Sequence, residues 1–274
     1  MAKEAAPDFN FAEQYAAYAE KYPVYRTAAD RLIALAKAHT DHSPGLVADV
    51  ACGVGLSTAL IASAYPDAQV VGFDKSPAML ELARKRSTAT FVEAGAEELI
   101  YDAEAGLAFC SAGYWYFDHA KALPRINSLV RSGGLFLFNI SEPAIDFGDG
   151  KYDDRFLQTM VEVLDNVGIV FHRKEGYGTG RLKLSYRPPT RMVVEEELRQ
   201  YGFQPIDYAA WEFQKSLDEL IEFYSIPGFG TKAYRELADS GQKKQILDEI
   251  KRRLEADGVK AINFRWAEFV ARRP

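Results

Sequence analysis

The chain is short of cysteine, of positive charge and of long apolar runs, and each shortage removes a class of function. Cys52 and Cys110 are the only cysteines in 274 residues, too few for a disulfide scaffold. Met1–Asn10 is polar and alanine-rich with no charged-then-apolar leader, so a cytoplasmic protein without structural disulfides is expected. Lys and Arg total 33 against 39 Asp and Glu, a net charge of -6, and the basic residues are scattered apart from short runs at Arg84–Arg86 and Lys251–Arg253. Nucleic-acid binding rests on clustered cations that displace counterions, so this balance points to a small-molecule partner rather than nucleic acid. No apolar stretch approaches the roughly 20 residues needed for a membrane span.

What is present is ordinary for a folded domain. A hydrophobic fraction of 48% and a charged fraction of 26% sit near globular averages. A chain of this length buries roughly 70% or more of its unfolded surface. Aromatic and aliphatic residues recur at helical spacing from Phe11 to Ala38, which predicts two helices broken near Pro23 and an N-terminal helical cap over residues 1–45. From residue 46 strand and helix patterns alternate: Leu46–Val50, a helix from Leu56, Gln69–Phe73, a helix over Ser76–Lys85, Thr90–Val92, Leu107–Ser111, a helix over Asp118–Val130, and Leu135–Ile140 introduced by Gly133-Gly134. Such alternation implies an α/β fold, a doubly wound and mostly parallel seven-stranded sheet, with residues 46–140 as its ligand-binding core. The rhythm then breaks. Residues 141–190 read as an inserted lid segment with an amphipathic helix near Phe156–Val167. Residues 191–274 resume the core with a strand around Gln204–Ala210, a charged helical insertion over 216–258 and a last strand at Ala261–Val270. The charged helix presents a solvated face, a lid or a homodimer surface.

The stretch "VADVACGVG", Val47–Gly55, carries the chemistry. In a doubly wound sheet ligands bind beyond the carboxyl ends of the strands, where strand order reverses. Gly53 and Gly55 let the backbone approach a ligand, and the amides of the following helix favour electronegative groups. A dinucleotide site needs a third glycine three residues after Gly55, and that position is Thr58. Asp49 is badly placed for a pyrophosphate and well placed for an ammonium group. Asp74, at the end of the second strand, suits both hydroxyls of a ribose. A ligand with ribose, a cationic amino-acid part and no pyrophosphate follows, and S-adenosyl-L-methionine has those parts.

"VADVACGVG", "VVGFDKSPAMLELAR", "FVEAGAEEL" and "LVRSGGLFLFNI", in that order, resemble the motifs of class I S-adenosylmethionine-dependent methyltransferases, the small-molecule group related to ubiquinone-biosynthesis methyltransferases. The resemblance covers about Leu46–Ile140 and implies a Rossmann-like methyltransferase fold, S-adenosyl-L-methionine as cofactor and S-adenosyl-L-homocysteine as product. Carried over by position, it implies that Asp49, Ala51, Gly53 and Gly55 hold the methionine part, Asp74 the ribose, Lys75 and Met79 the faces of the adenine, Ala96 and Glu97 its edge, and Ser111 the methionine end. Two positions depart from the pattern. Gly95 stands where the family often has an adenine-binding Asp, and Ala105-Gly106 stand where it often has Phe-Asp.

Cys52 and Cys110 read as small apolar fillers. Tyr15, Tyr18, Tyr22 and Tyr25 either close over the cofactor or pack a helix face, with Tyr18 and Tyr25 the better candidates for the pocket. Tyr114, Trp115 and Tyr116 follow the fourth strand, at the edge where an acceptor meets the methyl group, and three consecutive aromatics cannot share one helix face. His119 and His172 are the candidate bases, because histidine titrates near neutrality. Methyl transfer to a small, apolar or ring-bearing acceptor is the expected reaction. Three alternatives stand beside it: a non-catalytic S-adenosylmethionine binder, a rearrangement or cyclisation on the same fold, and an NAD-dependent oxidoreductase. The last is disfavoured by Thr58 and by the absence of any Tyr-x-x-x-Lys pair.

Overall fold

Apolar stretches and amphipathic stretches alternate because strands buried on both faces need helices to cover them. The computed structural model describes residues 9–40, 43–167, 188–226 and 240–274. Its strands are β1 (Leu46–Val50), β2 (Gln69–Asp74), β3 (Thr90–Glu93), β4 (Ala105–Cys110), β5 (Val130–Ser141), β6 (Gln204–Ser216) and β7 (Ala261–Arg272). The helices are α1 (Phe9–Lys21), α2 (Val24–His39), α3 (Leu56–Ala64), α4 (Pro77–Arg86), α5 (His119–Leu129), α6 (Arg155–Asn166), α7 (Arg191–Gln200), α8 (Leu217–Ser225) and α9 (Ser240–Ala256). The sheet order is β3-β2-β1-β4-β5-β7-β6, with β1 to β5 parallel and β7 antiparallel to β5. Strand order reverses between β1 and β4, which is the ligand-binding position in such sheets. No described helix is long and apolar enough to cross a membrane.

The chain divides into two compact units. The first holds residues up to Ser141 with Arg191–Trp211 and Trp266–Pro274, and the second holds Glu142–Thr190 and Glu212–Arg265. The two segments that the sequence suggests as separate insertions thus fall within one unit, whose limits reach past 216–258 on both sides. Its reason for cohering is a single apolar core, in which Phe156, Met160 and Leu164 of α6 meet Leu220 of α8 and Ile246, Ile250 and Leu254 of α9. Spacing of three to four residues places each set on one helix face.

The first unit is built on a core of Leu32 and Ile33 from α2, Ile61 from α3 and Val47, Val70, Leu107, Leu135 and Leu137 from the sheet. Every residue of β1 and β4 is buried, so these strands read as unbroken apolar runs. Ser76 caps α4 by accepting from the Met79 amide at 3.4 Å, and Pro77 opens the helix where no amide is needed.

Two expectations need correcting here. Gly133-Gly134 lie inside β5 and do not precede it, because the β4–β5 register shifts between Ala105 and Leu107 and Gly133 takes a φ of 77°, as a bulge requires. β6 and β7 also run beyond Ala210 and Val270, to Ser216 and Arg272. The unusual Gly106 has a packing cause: a Cβ there would stand 2.4 Å from the Pro44 carbonyl oxygen.

Candidate active site

The loop after β1 turns sharply enough that Ala51, Gly53 and Gly55 all have positive φ, at 58°, 53° and 77°. Only glycine takes this conformation without cost, so Ala51 is a strained residue of the kind that gathers at functional sites. The two glycines do different work. A Cβ on Gly53 would meet only the Tyr15 ring, at 3.9 Å, so its backbone faces open space, whereas a Cβ on Gly55 would stand 2.8 Å from the Ala83 Cβ on α4. Gly55 therefore permits the α3–α4 approach, and the Gly53 backbone is left open to the cleft.

Asp74 fixes this loop from the end of β2. One carboxylate oxygen accepts from the Gly53 amide at 2.8 Å and the other from the Ser76 amide at 2.9 Å. Each oxygen keeps a second lone pair for a ligand hydroxyl. Burial raises its pKa, and the two backbone donors pull in the opposite direction.

Asp49 is fully buried. Its Oδ2 accepts from the Ser57 hydroxyl at 2.7 Å and the Thr58 hydroxyl at 2.6 Å, while Oδ1 is buried with no partner among the described residues. Burial pushes its pKa up to about 6, with the two hydroxyls opposing and Asp74 adding repulsion. Thr58, read in the sequence only as a missing glycine, is thus the residue that ties α3 to β1. The Asp49-gripping role of Ser57 and Thr58 escaped sequence reasoning, although two adjacent hydroxyls soon after Gly55 and downstream of an acid were a usable signal.

The cleft lies at the carboxyl ends of β1 and β4. It is lined by Ala51 and Gly53, by Ser57 at the start of α3, by Ser111 and Ala112 after β4, and by Tyr15 and Tyr25 from α1 and α2. Tyr15 is held in place by Tyr25, which lies 5.6 Å away ring to ring and hydrogen-bonds its hydroxyl; burial, Tyr116 and Asp74 nevertheless raise its pKa, so it stays neutral. On the far side Ala96 is buried, Lys75 is exposed, and Met79 packs with Ala12 and Val54. Glu97 accepts from the Asp118 amide at 2.9 Å, which joins the loops after β3 and β4. Both thiols are buried, and burial together with Asp49 and Asp74 pushes them up, as apolar fillers require.

Several candidates belong elsewhere. Tyr18 is 1% exposed and packs on Tyr22 at 4.8 Å, so it is core and Tyr15 takes its expected place; helical spacing could not say which of the two tilts toward the loop. The three aromatics after β4 divide as their spacing demands. Tyr114 is buried and stacks on Phe138 at 4.0 Å, Trp115 sits edge-on to Trp266 at 6.0 Å, and Tyr116 is 61% exposed. Trp266 in turn meets Tyr25 at 6.3 Å, so Trp115 joins the cleft wall through one intervening ring.

Both ring nitrogens of His119 are engaged within the fold. Nδ1 meets Glu197 at 2.9 Å and Nε2 meets the Tyr114 carbonyl at 3.0 Å, while the Tyr114 hydroxyl donates to the same Glu197 oxygen at 3.1 Å. Burial lowers its pKa, but the hydrogen bonds to Glu197 and the Tyr114 carbonyl, together with the charges of Glu197 and Asp118, raise it above the usual value. A histidine raised on folding stabilises the fold fully below its unfolded pKa of about 6.5 and loses that contribution as pH rises through the folded value. Replacing His119 by Gln is therefore expected to lower the melting temperature more at pH 6 than at pH 9 and to leave ligand binding in the cleft unchanged, which paired thermal melts and titrations would check. His172 lies outside the described residues.

Residues 47–134 match a family model described as "Methyltransferase domain". The chain is 43% identical over 114 residues to a trans-aconitate 2-methyltransferase of Methylobacterium radiotolerans, covering 37% of this chain and 41% of that protein. It is 34% identical over 139 residues to the trans-aconitate 2-methyltransferase of Methylobacterium nodulans, covering 48% and 52% respectively. The chain thus spans about two fifths to one half of the length of these curated relatives. Among solved structures, the YcgJ protein of Bacillus subtilis superposes with a TM-score of 0.57 at 17% identity over 89% of this chain and 98% of that one. A phosphoethanolamine N-methyltransferase 2 of Haemonchus contortus gives 0.50 at 18% identity, over 89% of this chain and 52% of that one. Residues 47–134 of this chain are thus similar to the methyltransferase-domain family, and the chain shares the Rossmann-like α/β fold of the solved structures it resembles.

Proposed function

We propose that this chain transfers the methyl group of S-adenosyl-L-methionine to a small organic acceptor, leaving S-adenosyl-L-homocysteine. The observation that carries this reading is the buried Asp49 carboxylate, with one oxygen unpartnered among the described residues, behind an open Gly53 backbone. A negative group walled off from water calls for a cation, and the ligand of this fold class has one. Its complement is chemically consistent along the cleft: Asp49, Ala51, Gly53, Gly55 and Ser111 for the methionine part, Asp74 for the ribose, Lys75 and Met79 for the adenine faces, and Ala96 and Glu97 for the adenine edge. The Asp49 charge opposes a pyrophosphate, and Thr58, hydrogen-bonded to it, fills the place of the third glycine; both disfavour NAD.

The sulfonium, when bound, supplies an already activated methyl group, so the protein's task is to position the acceptor and exclude water. Tyr25 on the cleft wall, backed by Trp266 and Trp115, supports an apolar or ring-bearing acceptor body. The likeness to trans-aconitate 2-methyltransferases supports a small organic acid as the first class to assay. With His119 committed to Glu197, His172 is the remaining histidine candidate for a base, needed only if the acceptor must lose a proton. The acidic net charge supports a small molecule over a nucleic acid as partner, and two buried thiols suit a reducing cytoplasm.

The test is calorimetric titration with S-adenosylmethionine, S-adenosylhomocysteine and NAD, followed by transfer of a labelled methyl group into a panel of alkenyl and aromatic carboxylic acids. Binding of both adenosyl ligands without NAD, and label on one acid, is the expected result. Conversion of an acceptor with the cofactor left intact would mean rearrangement, and binding without turnover of any acceptor would favour a regulatory binder. Silence toward the adenosyl ligands would overturn the reading.

A further inference from the structure

A second strained residue lies across the cleft from the first. Ala112, just beyond β4, has a φ of 60°, a conformation that an alanine holds only when its surroundings impose it. Asn139 imposes it. Asn139 of β5 is completely buried, and its Oδ1 accepts from the Ala112 amide at 2.7 Å. Its Nδ2 reaches the Ala28 carbonyl of α2 at 3.5 Å, a much weaker contact. The orientation of the carboxamide follows from its partners, since an N–H needs the oxygen and a carbonyl needs the amide.

The surroundings make this bond consequential. Gly113 follows at once, and a Cβ on it would stand 2.9 Å from the Ala51 Cβ and 3.0 Å from the Cys110 sulfur, so the loop after β4 rests directly on the loop after β1. Ala28 lies one turn beyond Tyr25 on the same helix. Asn139 pairs across the sheet with Glu268, which is also fully buried and takes a bidentate hold on Arg31 of α2, at 2.6 and 2.9 Å. An asparagine in a strand flanked by Phe138 and Ile140 has no role in the core that an apolar residue of its size would not fill. Its hydrogen-bonding groups face the cleft loop and the helix that carries Tyr25.

We infer that Asn139 is a positioning residue for the cofactor cleft: by holding the Ala112 amide it keeps Ala112 in the left-handed conformation that shapes the loop beside Ser111 for the methionine end of an S-adenosyl ligand. This rests on the reading of the cleft given above. Glycine takes that turn without strain, so a glycine at 112 makes the Asn139 hold dispensable. A residue that merely filled the core would not be replaceable from 112.

The experiment titrates S-adenosylhomocysteine into the wild type, Asn139→Leu, Ala112→Gly and the double variant, with circular dichroism to verify the fold. Asn139→Leu is expected to bind about tenfold more weakly than wild type, the loss of one well-formed hydrogen bond, and Ala112→Gly serves as the reference for the double variant. The double variant is expected to bind within about threefold of Ala112→Gly, so that the same Asn139→Leu change costs far less in the glycine background, a coupling that only linked sites produce. Unchanged binding by Asn139→Leu, or a double variant as weak as the single one, would overturn the inference. Should Asn139→Leu not fold, amide exchange in the wild type decides: the Ala112 amide is expected to be protected about a hundredfold or more over an exposed loop amide, and exchange at the loop rate overturns the proposal. A wild type that binds no S-adenosylhomocysteine would instead overturn the proposed function. The coupling then reads out in melting temperature, where rescue of Asn139→Leu by Ala112→Gly supports the positioning role and simple additivity refutes it.

Discussion

Replacing Asp74 by alanine is expected to weaken S-adenosylhomocysteine binding by about a hundredfold or more, equivalent to about 2.7 kcal/mol. The size follows from three roles that end together. Its two oxygens hold the Gly53 amide at 2.8 Å and the Ser76 amide at 2.9 Å, and their remaining lone pairs are those assigned to the ribose. Hydrogen bonds to a charged group contribute about 1.5–3 kcal/mol each, but the loop ties affect the ligand only through the geometry of Gly53, so the effects do not simply add. Asp74→Asn separates them. An amide has one acceptor oxygen where two backbone donors need one each, so this variant is expected to fall between alanine and wild type. Calorimetric titration of the three proteins, each first shown to be folded, checks the order. Binding by Asp74→Ala within about threefold of wild type would remove Asp74 from the site.

Replacing Asp49 by asparagine has the second largest expected effect, and its sign changes with what is measured. Burial raises the Asp49 pKa from 3.8 to about 6, so the folded protein takes up a proton here more readily than the unfolded chain. Ionising the group in the fold costs stability above the unfolded pKa, and the cost grows until pH passes about 6; at about 1.4 kcal/mol per pKa unit the full cost is about 3 kcal/mol. The stability of Asp49→Asn relative to wild type, both ligand-free, should therefore improve as pH rises from 5 to 8. Ligand affinity should move oppositely. Wild-type affinity for S-adenosylhomocysteine, whose ammonium group needs the ionised carboxylate, should rise up to about tenfold from pH 5 to pH 7 as Asp49 ionises, while Asp49→Asn binds weakly at both. Thermal melts and titrations across that range test both halves. Wild-type affinity in Asp49→Asn at pH 7.5 would exclude the carboxylate from ligand binding. A gain in stability accompanied by a loss of binding is the usual exchange at a site kept strained for its ligand.

The core of the fold was legible because its signals are local. β1 and β4 are unbroken apolar runs, helices start at recognisable positions such as Ser76-Pro77, and Val47–Gly55 carries an acid and two glycines whose spacing already argued against a dinucleotide. Site residues defined by backbone need, such as Gly53, were readable for the same reason. Residues that act through packing were not. Tyr15 and Tyr18 share one helical periodicity, yet only Tyr15 reaches the cleft; His119 looked available until Glu197, 78 positions away, took its ring nitrogen. Asn139 carried no signal at all, since a lone polar residue in a buried strand is informative only when its partners are known.

The sequence by itself determined the α/β alternation, the turn at Gly53–Gly55 and the acids at 49 and 74 beside it, because chain geometry, glycine's freedom and charge act over a few residues. Tertiary structure alone decided that α6, α8 and α9 share one core, that Thr58 and Ser57 grip Asp49, and which aromatics wall the cleft. Those outcomes depend on contacts between distant segments, where shape and desolvation settle a side chain's role after its type has only narrowed it.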